Sequence, residues 1–366
     1  MKHNYVLEGT ATMIGTIIGA GVLGLPYVIS KVGLLVGIIE ILIIGLIILA
    51  SNLFLAKVVL HTEGNHQLTG YAKIYLGKIG AFIMGSSMIF VNCGALVAYI
   101  FGVGQSLAAI FGGDALYYSF AFFIPASFLV YKGLDFVRKW EVYLNIIFLT
   151  IAGVICFSVI PKINMMNIAY TNLNYLFFPY GVILFAMLGG IAIPEVKEEV
   201  RKNKQYLMKS VLLGSLIPIV FYIIFSLAVV GVTGAETTEI GTIGLGERAG
   251  PWMIGMGNLF AIFAMASSFL TIGLGMRQMF NYDYNIRKFY AWGLACLVPL
   301  ILFLIVRHFA GFKDIIGFVG TIGGGVEGII IVLMSLKLKE LQKWYHKLLG
   351  IIIILVFIFG MVTLIS

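Results

Sequence analysis

Two clusters of glycine and proline have a spacing that could interrupt a helix and free backbone groups for ligand binding. The first lies in GTIIGAGVLGLPYV, residues 15–28, and the second in FAMLGGIAIPEV, residues 185–196. Glycine disfavours a helix by about 1 kcal/mol and proline by about 3 kcal/mol. A helix that unwinds near residues 19–21 or 189–190 leaves N–H and C=O groups free to bind charged parts of a ligand.

Three glutamates lie inside or at the end of apolar segments, namely Glu40, Glu195 and Glu327. A charge at the centre of a bilayer costs at least about 2.5 kcal/mol, so an acid in such a segment is a functional candidate. Glu327 lies deepest and is the candidate proton carrier if transport is driven by protons, whereas Glu40 is either a gate residue or a residue that merely reaches the interface. We expect Glu195 to fasten the end of its helix or to contact a nearby Lys or Arg at an inner gate.

The sequence contains no grouping of catalytic or metal-binding residues typical of an enzyme. The histidines fall in loops or at segment ends, at positions 3, 61, 66, 308 and 346. The three cysteines, Cys93, Cys156 and Cys296, are odd in number and lie in apolar segments, which argues against a disulfide framework or a zinc site. We therefore expect no enzyme, no cofactor and no metal other than a candidate Na⁺.

The glycines allow two other interpretations. Residues 19–24, GAGVLG, match the GxGxxG dinucleotide pattern with Glu40 beyond them, but that motif requires a soluble βαβ unit. Alternatively, the glycines serve only close helix packing. Packing explains Gly85, Gly94 and Gly102 well, but it explains the two matched clusters poorly.

The composition places all of these residues in a membrane. Of 366 residues, 61% are apolar and 11% are charged, against about 25% charged in soluble domains. Windows of about 20 apolar residues, the length that crosses a bilayer, identify eleven spans. They cover residues 6–30, 33–59, 80–111, 115–132, 140–160, 175–196, 207–232, 250–279, 289–306, 311–336 and 347–365. The loop at 60–79 is expected to hold a short interfacial helix.

The basic residues predict the orientation of the spans. With a cytoplasmic N-terminus, 19 of the 24 Lys and Arg fall on the cytoplasmic side, and five fall outside: Lys31, Lys162, Arg248, Arg307 and Lys313. This asymmetry follows the positive-inside rule and predicts an extracellular C-terminus. The net charge of +8 thus reflects topology, and we expect no nucleic-acid partner.

The two glycine clusters lie in spans one and six, which are five spans apart and run in opposite directions. This arrangement predicts an inverted five-plus-five repeat whose two discontinuous helices meet at a substrate site near the bilayer midplane. The first repeat covers about 6–160 and the second about 175–336, with an extra helix at about 347–365. The chain is then one polytopic domain, residues 1–366.

Unwound backbone at these breaks can bind both ends of a zwitterion. The N–H groups of Ala20, Gly21 and Val22, at the positive end of a half-helix, suit a carboxylate. The carbonyls of an ammonium site would come from both breaks: Thr16, Ile17, Phe185 and Ala186. Asn92, Cys93 and Met187 are candidates for the pocket of the substrate side chain, although such residues also serve packing.

Three stretches in order resemble the amino acid/auxin permease family of the APC superfamily: residues 15–33, 185–196 and FAMASSFLTIGLGMRQ at 263–278. The resemblance covers essentially the whole chain. It implies an all-α membrane protein of the LeuT-type fold, with discontinuous helices one and six and an eleventh helix. It also implies amino acid binding by the first two stretches, at Thr16, Gly19, Ala20, Gly21, Phe185, Ala186 and Gly189.

The resemblance further implies a cation site. Sodium-coupled relatives hold an ion between span one and span eight, which here corresponds to the carbonyls of Gly15, Ile18 and Ala264 and the hydroxyls of Ser267 and Ser268. Some proton-coupled relatives place a span-five lysine there, and span five of this chain has no lysine in its interior. The alternative role of the two serines is helix–helix hydrogen bonding.

We therefore expect a cation-coupled amino acid symporter in the cell membrane, with Na⁺ favoured over H⁺. Spans 1, 2, 6 and 7 would rock against spans 3, 4, 8 and 9. A proton-coupled permease or an exchanger of the same fold is the alternative, and a channel or receptor is the alternative from another class. The expected partners are a small amino acid and membrane lipid, and no obligatory protein partner is evident.

Overall fold

Helices make up nearly all of the chain that the computed structural model describes, which is residues 5–200 and 203–363, without the side chains of 134–141, 204 and 251. The α-helices, in chain order, are α1 (Tyr5–Ile17), α2 (Gly21–Val32), α3 (Leu34–His61), α4 (Leu68–Phe111), α5 (Ala115–Lys132), α6 (Leu134–Val159), α7 (Met165–Ala169), α8 (Tyr180–Met187), α9 (Ile193–Glu199), α10 (Lys204–Thr233), α11 (Gly241–Ala249), α12 (Pro251–Gln278), α13 (Lys288–Val306), α14 (Phe312–Phe318), α15 (Gly325–Ser335) and α16 (Trp344–Thr363).

Within these described ranges, ten helical segments are long and apolar enough to cross a membrane, and the bent pair α1–α2 makes an eleventh. The predicted eleven spans and the all-α membrane class are thereby confirmed. Spans one, six and ten each comprise two helices: α1 with α2, α8 with α9, and α14 with α15. The other spans are α3, α4, α5, α6, α10, α12, α13 and α16.

Spans one and six are interrupted where the glycine clusters predicted. Residues 18–20 separate α1 from α2, whose axes differ by 54°. In span six, residues 188–192 separate α8 from α9 and include a 3₁₀ turn at Gly190–Ala192. Helix α1 packs against α9 and α2 packs against α8. The two broken spans therefore lie side by side in opposite directions, with their breaks at the same level.

Span three begins after a turn at Gly77, close to its predicted start at residue 80. Helix α4 begins at Leu68 and changes direction at Gly77, which has φ 75° and ψ −163°. A residue with a side chain rarely adopts this conformation, so glycine is required for the turn. Residues 68–76 form the short helix predicted for the 60–79 loop. Span six begins later than predicted, at Tyr180, because residues 173–175 form a separate 3₁₀ turn.

Span ten contains a π-helical turn at Val319–Gly324 that the sequence did not predict. Its glycines let neighbouring spans approach closely, as expected from the run before Glu327. A Cβ on Gly320 would lie 2.8 Å from the Phe185 backbone nitrogen, and one on Gly324 would lie 3.0 Å from Leu188. The wide turn thus brings span ten against the broken part of span six.

Candidate functional site

A small cavity lies between the two breaks. Seven of the predicted substrate-site and proton-carrier residues line it, namely Thr16, Ile17, Gly21, Asn92, Phe185, Gly189 and Glu327, together with Gly190 of the span-six break. Span three also contributes Tyr99 and span eight contributes Ile272. The cavity volume of about 20 Å³ is enough for one water molecule. The structure therefore shows a closed conformation in which the two breaks have collapsed onto each other.

Side-chain contacts close the cavity toward the face where the chain begins, here called the N-terminal face. The Thr12 hydroxyl donates to the Glu199 carboxylate, with oxygen–oxygen distances of 2.9 and 3.0 Å, and so joins α1 to α9. The Lys197 ammonium donates to the carbonyls of Thr62 and Gly64, at 2.8 and 3.2 Å. Helix α9 is thus fastened both to span one and to the loop after span two.

Toward the opposite face, the closing contacts involve the loop between spans seven and eight. The Lys313 ammonium lies 3.3 Å from the Glu239 carboxylate and 3.4 Å from the Tyr27 hydroxyl. This ties span ten to α2 and to residues 233–249, part of which folds as α11. Glu236 of the same loop pairs with Arg248.

The break in span one offers two free amide groups. Within the described part of the chain, the N–H groups of Ala20 and Gly21 donate no hydrogen bond, whereas Val22 N–H donates to the Gly19 carbonyl at 3.3 Å. Two of the three predicted donors are therefore available at the N-terminus of α2, where the helix dipole favours an anion. Gly21 also packs on span six, since a Cβ there would lie 2.5 Å from the Ala186 Cα.

The carbonyls of the two breaks meet at Tyr222, a residue of span seven that sequence reasoning missed. Its buried hydroxyl lies 2.7 Å from the Ile17 carbonyl and 2.9 Å from the Ala186 carbonyl. A hydroxyl has one proton to donate, so these two acceptors share it, and the Ile17 carbonyl also accepts from Gly19 N–H at 3.0 Å. The signal in the sequence was a polar hydroxyl in the middle of an apolar span, which must find a partner inside the protein.

The other predicted carbonyls are partly engaged. The Phe185 carbonyl accepts from Leu188 N–H at 3.2 Å, and the Thr16 carbonyl lies 3.4 Å from the Ser268 hydroxyl. Gly189 packs closely against span one, since a Cβ there would lie 2.6 Å from the Ile17 Cγ1. The backbone of both breaks is thus concentrated at one level of the bundle, as the glycine clusters predicted.

Of the three candidates for the side-chain pocket, Asn92 lines the cavity, with its amide donating to the Met88 carbonyl at 2.7 Å. Cys93 is buried outside that lining. Met187 points toward span two, because its Cε lies 3.4 Å from the Cβ position of Gly45. The remaining wall is largely apolar.

An oxygen cluster lies beside the break at Ser268 of span eight. The Ser268 hydroxyl lies 2.6 Å from the Gly15 carbonyl and 3.3 Å from the Ile18 carbonyl. Ala264 is buried one helical turn earlier in α12. Gly19 is required here, because a Cβ would lie 2.5 Å from Ser268 Oγ and 2.9 Å from the Tyr99 hydroxyl.

Ser267 faces a different partner from Ser268. Its hydroxyl donates to the Asn145 side-chain oxygen of span five at 3.2 Å, and the Asn145 amide donates to the Ala11 carbonyl of span one. Asn145 was not predicted, and the signal for it was an amide in the interior of an apolar span. Spans one, five and eight are therefore joined by a polar chain next to the oxygen cluster.

The three glutamates occupy different places. Glu327 is 5% exposed and lines the cavity. Glu40 lies in α3 away from the cavity lining, and both of its carboxylate oxygens are buried without a hydrogen-bond partner among the described residues. Glu195 lies in α9, with Oε1 3.4 Å from the Cβ position of Gly275 in span eight. Of the three, only Glu327 is therefore among the residues that line the cavity.

Comparison with known proteins agrees with this architecture. A crystal structure of MhsT in complex with L-phenylalanine is similar over 97% of this chain and 98% of that one, with a TM-score of 0.72 and 14% sequence identity. Similarity at this level shows the fold, and the predicted LeuT-type fold is confirmed.

Relatives with named activities match most of the chain. Glutamine transporter 2 of Aliivibrio fischeri is 25% identical over 362 residues, 94% of this chain and 93% of the relative. Tyrosine-specific transport system 1 of Haemophilus influenzae is 26% identical over 340 residues, 87% of this chain and 84% of the relative. These are transporters and not enzymes, in agreement with the sequence-based expectation.

A model of the tryptophan/tyrosine permease family matches residues 2–366. That match covers both broken spans, the oxygen cluster at Ser268 and the extra helix α16, and it agrees with the resemblance to amino acid/auxin permeases. The chain therefore belongs to the tryptophan/tyrosine permease family.

Proposed function

We propose that this protein is a secondary active amino acid transporter that works by alternating access. The observation that carries the proposal is the cavity at the two breaks. Ile17 and Gly21 line that cavity, and Ala20 and Ala186 belong to the same two breaks outside the lining. The free N–H groups of Ala20 and Gly21 suit an α-carboxylate, and the carbonyls of Ile17 and Ala186 suit an α-ammonium. Backbone groups can hold both charges of a zwitterion without a buried charged side chain.

The names of the relatives support an amino acid as the substrate. They mention glutamine and tyrosine, and the family name mentions tryptophan and tyrosine. These three amino acids share the zwitterionic backbone, which the breaks would bind in the same way. Each of them also carries an N–H or O–H donor on its side chain.

We propose Na⁺ as the coupling ion, bound where Ser268 meets span one. The Ser268 hydroxyl oxygen there lies 2.6 Å from the Gly15 carbonyl oxygen and 3.3 Å from that of Ile18. Rotation of the hydroxyl proton away from Gly15 would leave all three oxygens able to face a cation. Ala264 and Ser267 would complete the site after Ser267 leaves Asn145.

Proton coupling is the second candidate, and one observation favours it. Glu327 is a buried acid in the wall of the cavity, where a carboxyl group could take up and release a proton as the cavity opens. An exchanger of the same fold would use the same amino acid site with no net ion movement.

The closing contacts support rocking of spans 1, 2, 6 and 7 against spans 3, 4, 8 and 9. Thr12, Glu199 and Lys197 fasten the first group internally, while Glu195 lies against Gly275 between the groups. We assign the first repeat to residues of about 6–160, the second to about 175–336 and the extra helix to about 347–365.

We further propose that the N-terminal face is cytoplasmic in the cell membrane. The asymmetry of the basic residues supports this orientation. Of these residues, Lys2, Arg201 and Lys202 lie outside the described part of the chain, and the side chains of Arg138, Lys139 and Lys204 are likewise not described.

Uptake into proteoliposomes tests the function. The purified protein is supplied with labelled tyrosine, tryptophan and glutamine under a Na⁺ gradient, under a pH gradient, and against preloaded amino acid. Accumulation driven by Na⁺ is expected. Accumulation driven by the pH gradient alone would replace Na⁺ with H⁺, and uptake that requires preloaded amino acid would indicate exchange. If no amino acid enters under any condition, the transport proposal is wrong.

A further inference from the structure

Glu327 is a buried acid at the substrate cavity that neither the zwitterion site nor the oxygen cluster uses. It lies in the first turn of α15, directly after the π-helical turn of span ten. Its Oε1 lies 3.2 Å from the Cβ position of Gly190, so the carboxyl group faces the break in span six. Within the described residues, Glu327 makes no hydrogen bond or ion pair.

The other polar side chains of this wall have partners inside the protein. The Asn92 amide donates to the Met88 carbonyl, and the Thr16 hydroxyl donates to the Thr12 carbonyl at 2.8 Å. A buried carboxyl group without a partner is costly in either protonation state. A ligand in the cavity can supply the missing partner, and a donor suits both protonation states, because a carboxylate only accepts and a carboxylic acid retains an acceptor oxygen.

The surroundings of Glu327 are suited to a side chain and not to the charged ends of an amino acid. The free N–H groups belong to Ala20 and Gly21, and the shared carbonyls belong to Ile17 and Ala186. Glu327 instead comes from span ten, and the cavity lining around it includes the apolar residues Val91, Leu188 and Ile191. An aromatic ring or a short methylene chain would pack on these residues with its polar end at the carboxyl group.

We propose that Glu327 accepts a hydrogen bond from the side chain of the bound amino acid. The protein then selects amino acids whose side chain carries an N–H or O–H donor, such as a phenol, an indole or a carboxamide, over hydrocarbon analogues of the same shape. This inference rests on the proposed amino acid transport and names the substrate class of the same site.

The expected discrimination is large, because an analogue without the donor leaves the buried carboxyl group unpaired. A hydrogen bond to a charged group contributes enough for a preference of about 10- to 150-fold. The concentration of tyrosine that inhibits uptake is therefore expected to be about 10- to 150-fold lower than that of phenylalanine. Tryptophan should also inhibit uptake more strongly than 1-methyltryptophan, in which the indole donor is blocked, by a similar factor in concentration.

Two variants separate this role from others. Glu327→Met removes the acceptor with little change in length, whereas Glu327→Gln keeps an acceptor oxygen and removes the ionisable group. Inhibition constants for tyrosine and phenylalanine are measured against labelled substrate in proteoliposomes. We expect Glu327→Met to lose most of the tyrosine preference by weakening the binding of tyrosine alone. Glu327→Gln, whose neutral acceptor makes a weaker hydrogen bond, should keep a preference of about 2- to 10-fold.

Four outcomes would overturn the proposal while leaving amino acid transport intact. In the first, the wild-type protein accepts phenylalanine as well as tyrosine. In the second, Glu327→Met weakens the binding of both amino acids equally, which would place Glu327 at the common backbone or in folding. In the third, Glu327→Gln loses the preference for tyrosine entirely although it keeps the acceptor. In the fourth, the variants abolish dependence on a pH gradient with an unchanged tyrosine-to-phenylalanine ratio, which would make Glu327 a proton carrier. Failure of the wild-type protein to take up any amino acid would instead refute the proposed function.

Discussion

Replacing Tyr222 by phenylalanine removes one hydroxyl from the point where the two broken spans meet. In the closed structure this hydroxyl is the donor to the Ile17 and Ala186 carbonyls, at 2.7 and 2.9 Å. The ring is fully buried, so the phenylalanine ring fills the same space. If those carbonyls bind the substrate ammonium, the hydroxyl and the substrate compete for the same acceptors.

The magnitude follows from comparing the empty and the loaded protein. Without the hydroxyl, the empty protein loses the donor to the buried Ala186 carbonyl, while the Ile17 carbonyl keeps its hydrogen bond from Gly19 N–H. One unsatisfied buried carbonyl costs about 1–3 kcal/mol. The loaded protein does not bear this cost, because the ammonium supplies the donors. The variant should therefore bind its amino acid about 5- to 150-fold more tightly, as a difference of about 1–3 kcal/mol requires, and its empty form should unfold at a lower temperature.

The assay is equilibrium binding of labelled amino acid to detergent-solubilised protein, with thermal unfolding measured in parallel. Tyr180→Phe is the matched control, because the Tyr180 hydroxyl also donates to a backbone carbonyl, that of Val356 at 3.2 Å, in the extra helix α16. The control should lower stability without changing affinity. An unchanged or weaker affinity in Tyr222→Phe, with the control behaving as expected, would refute the assignment of these carbonyls to the ammonium.

Three further predictions concern other parts of the molecule. Ser268→Ala should greatly weaken the Na⁺ dependence of uptake. Ser267→Ala should weaken it less, because the Ser267 hydroxyl faces span five. Equal effects would contradict the proposed ion position. Gly77→Ala should destabilise the protein by about 1–3 kcal/mol in thermal or denaturant unfolding because of its positive φ, whereas Gly153→Ala, with open space around the Cβ position, should be neutral or stabilising. Lys197→Met should speed hydrogen–deuterium exchange at residues 62–67, since it frees two carbonyls of that loop; unchanged exchange would exclude the fastening role.

The number of spans and the position of the breaks could be predicted because both depend on local composition. Apolar length determines a membrane span, and glycine with proline determines where a helix unwinds. The breaks at residues 18–20 and 188–192 therefore lie where the clusters at 19–21 and 189–190 predicted. The antiparallel contact of α1 with α9 also follows from spans one and six being five apart.

The partners of individual polar groups could not be predicted, since they depend on how distant helices pack. Tyr222 and Asn145 reach the breaks from spans seven and five, and periodicity does not determine which way a helix faces inside a bundle that is apolar on all sides. The π-helical turn of span ten was missed for a related reason. Its glycine run predicted close packing, which a regular α-helix would also allow, so the sequence contains no signal for the widened hydrogen-bond pattern.

The central claim is that backbone groups of the two breaks bind the zwitterion of an amino acid. A structure of the protein with bound tyrosine, determined by cryo-electron microscopy, tests it most directly. We expect the tyrosine carboxylate within about 3 Å of the Ala20 and Gly21 nitrogens and its ammonium within about 3 Å of the Ile17 or Ala186 carbonyl oxygens. Tyrosine bound away from both breaks, or with its charged groups on side chains alone, would contradict the claim.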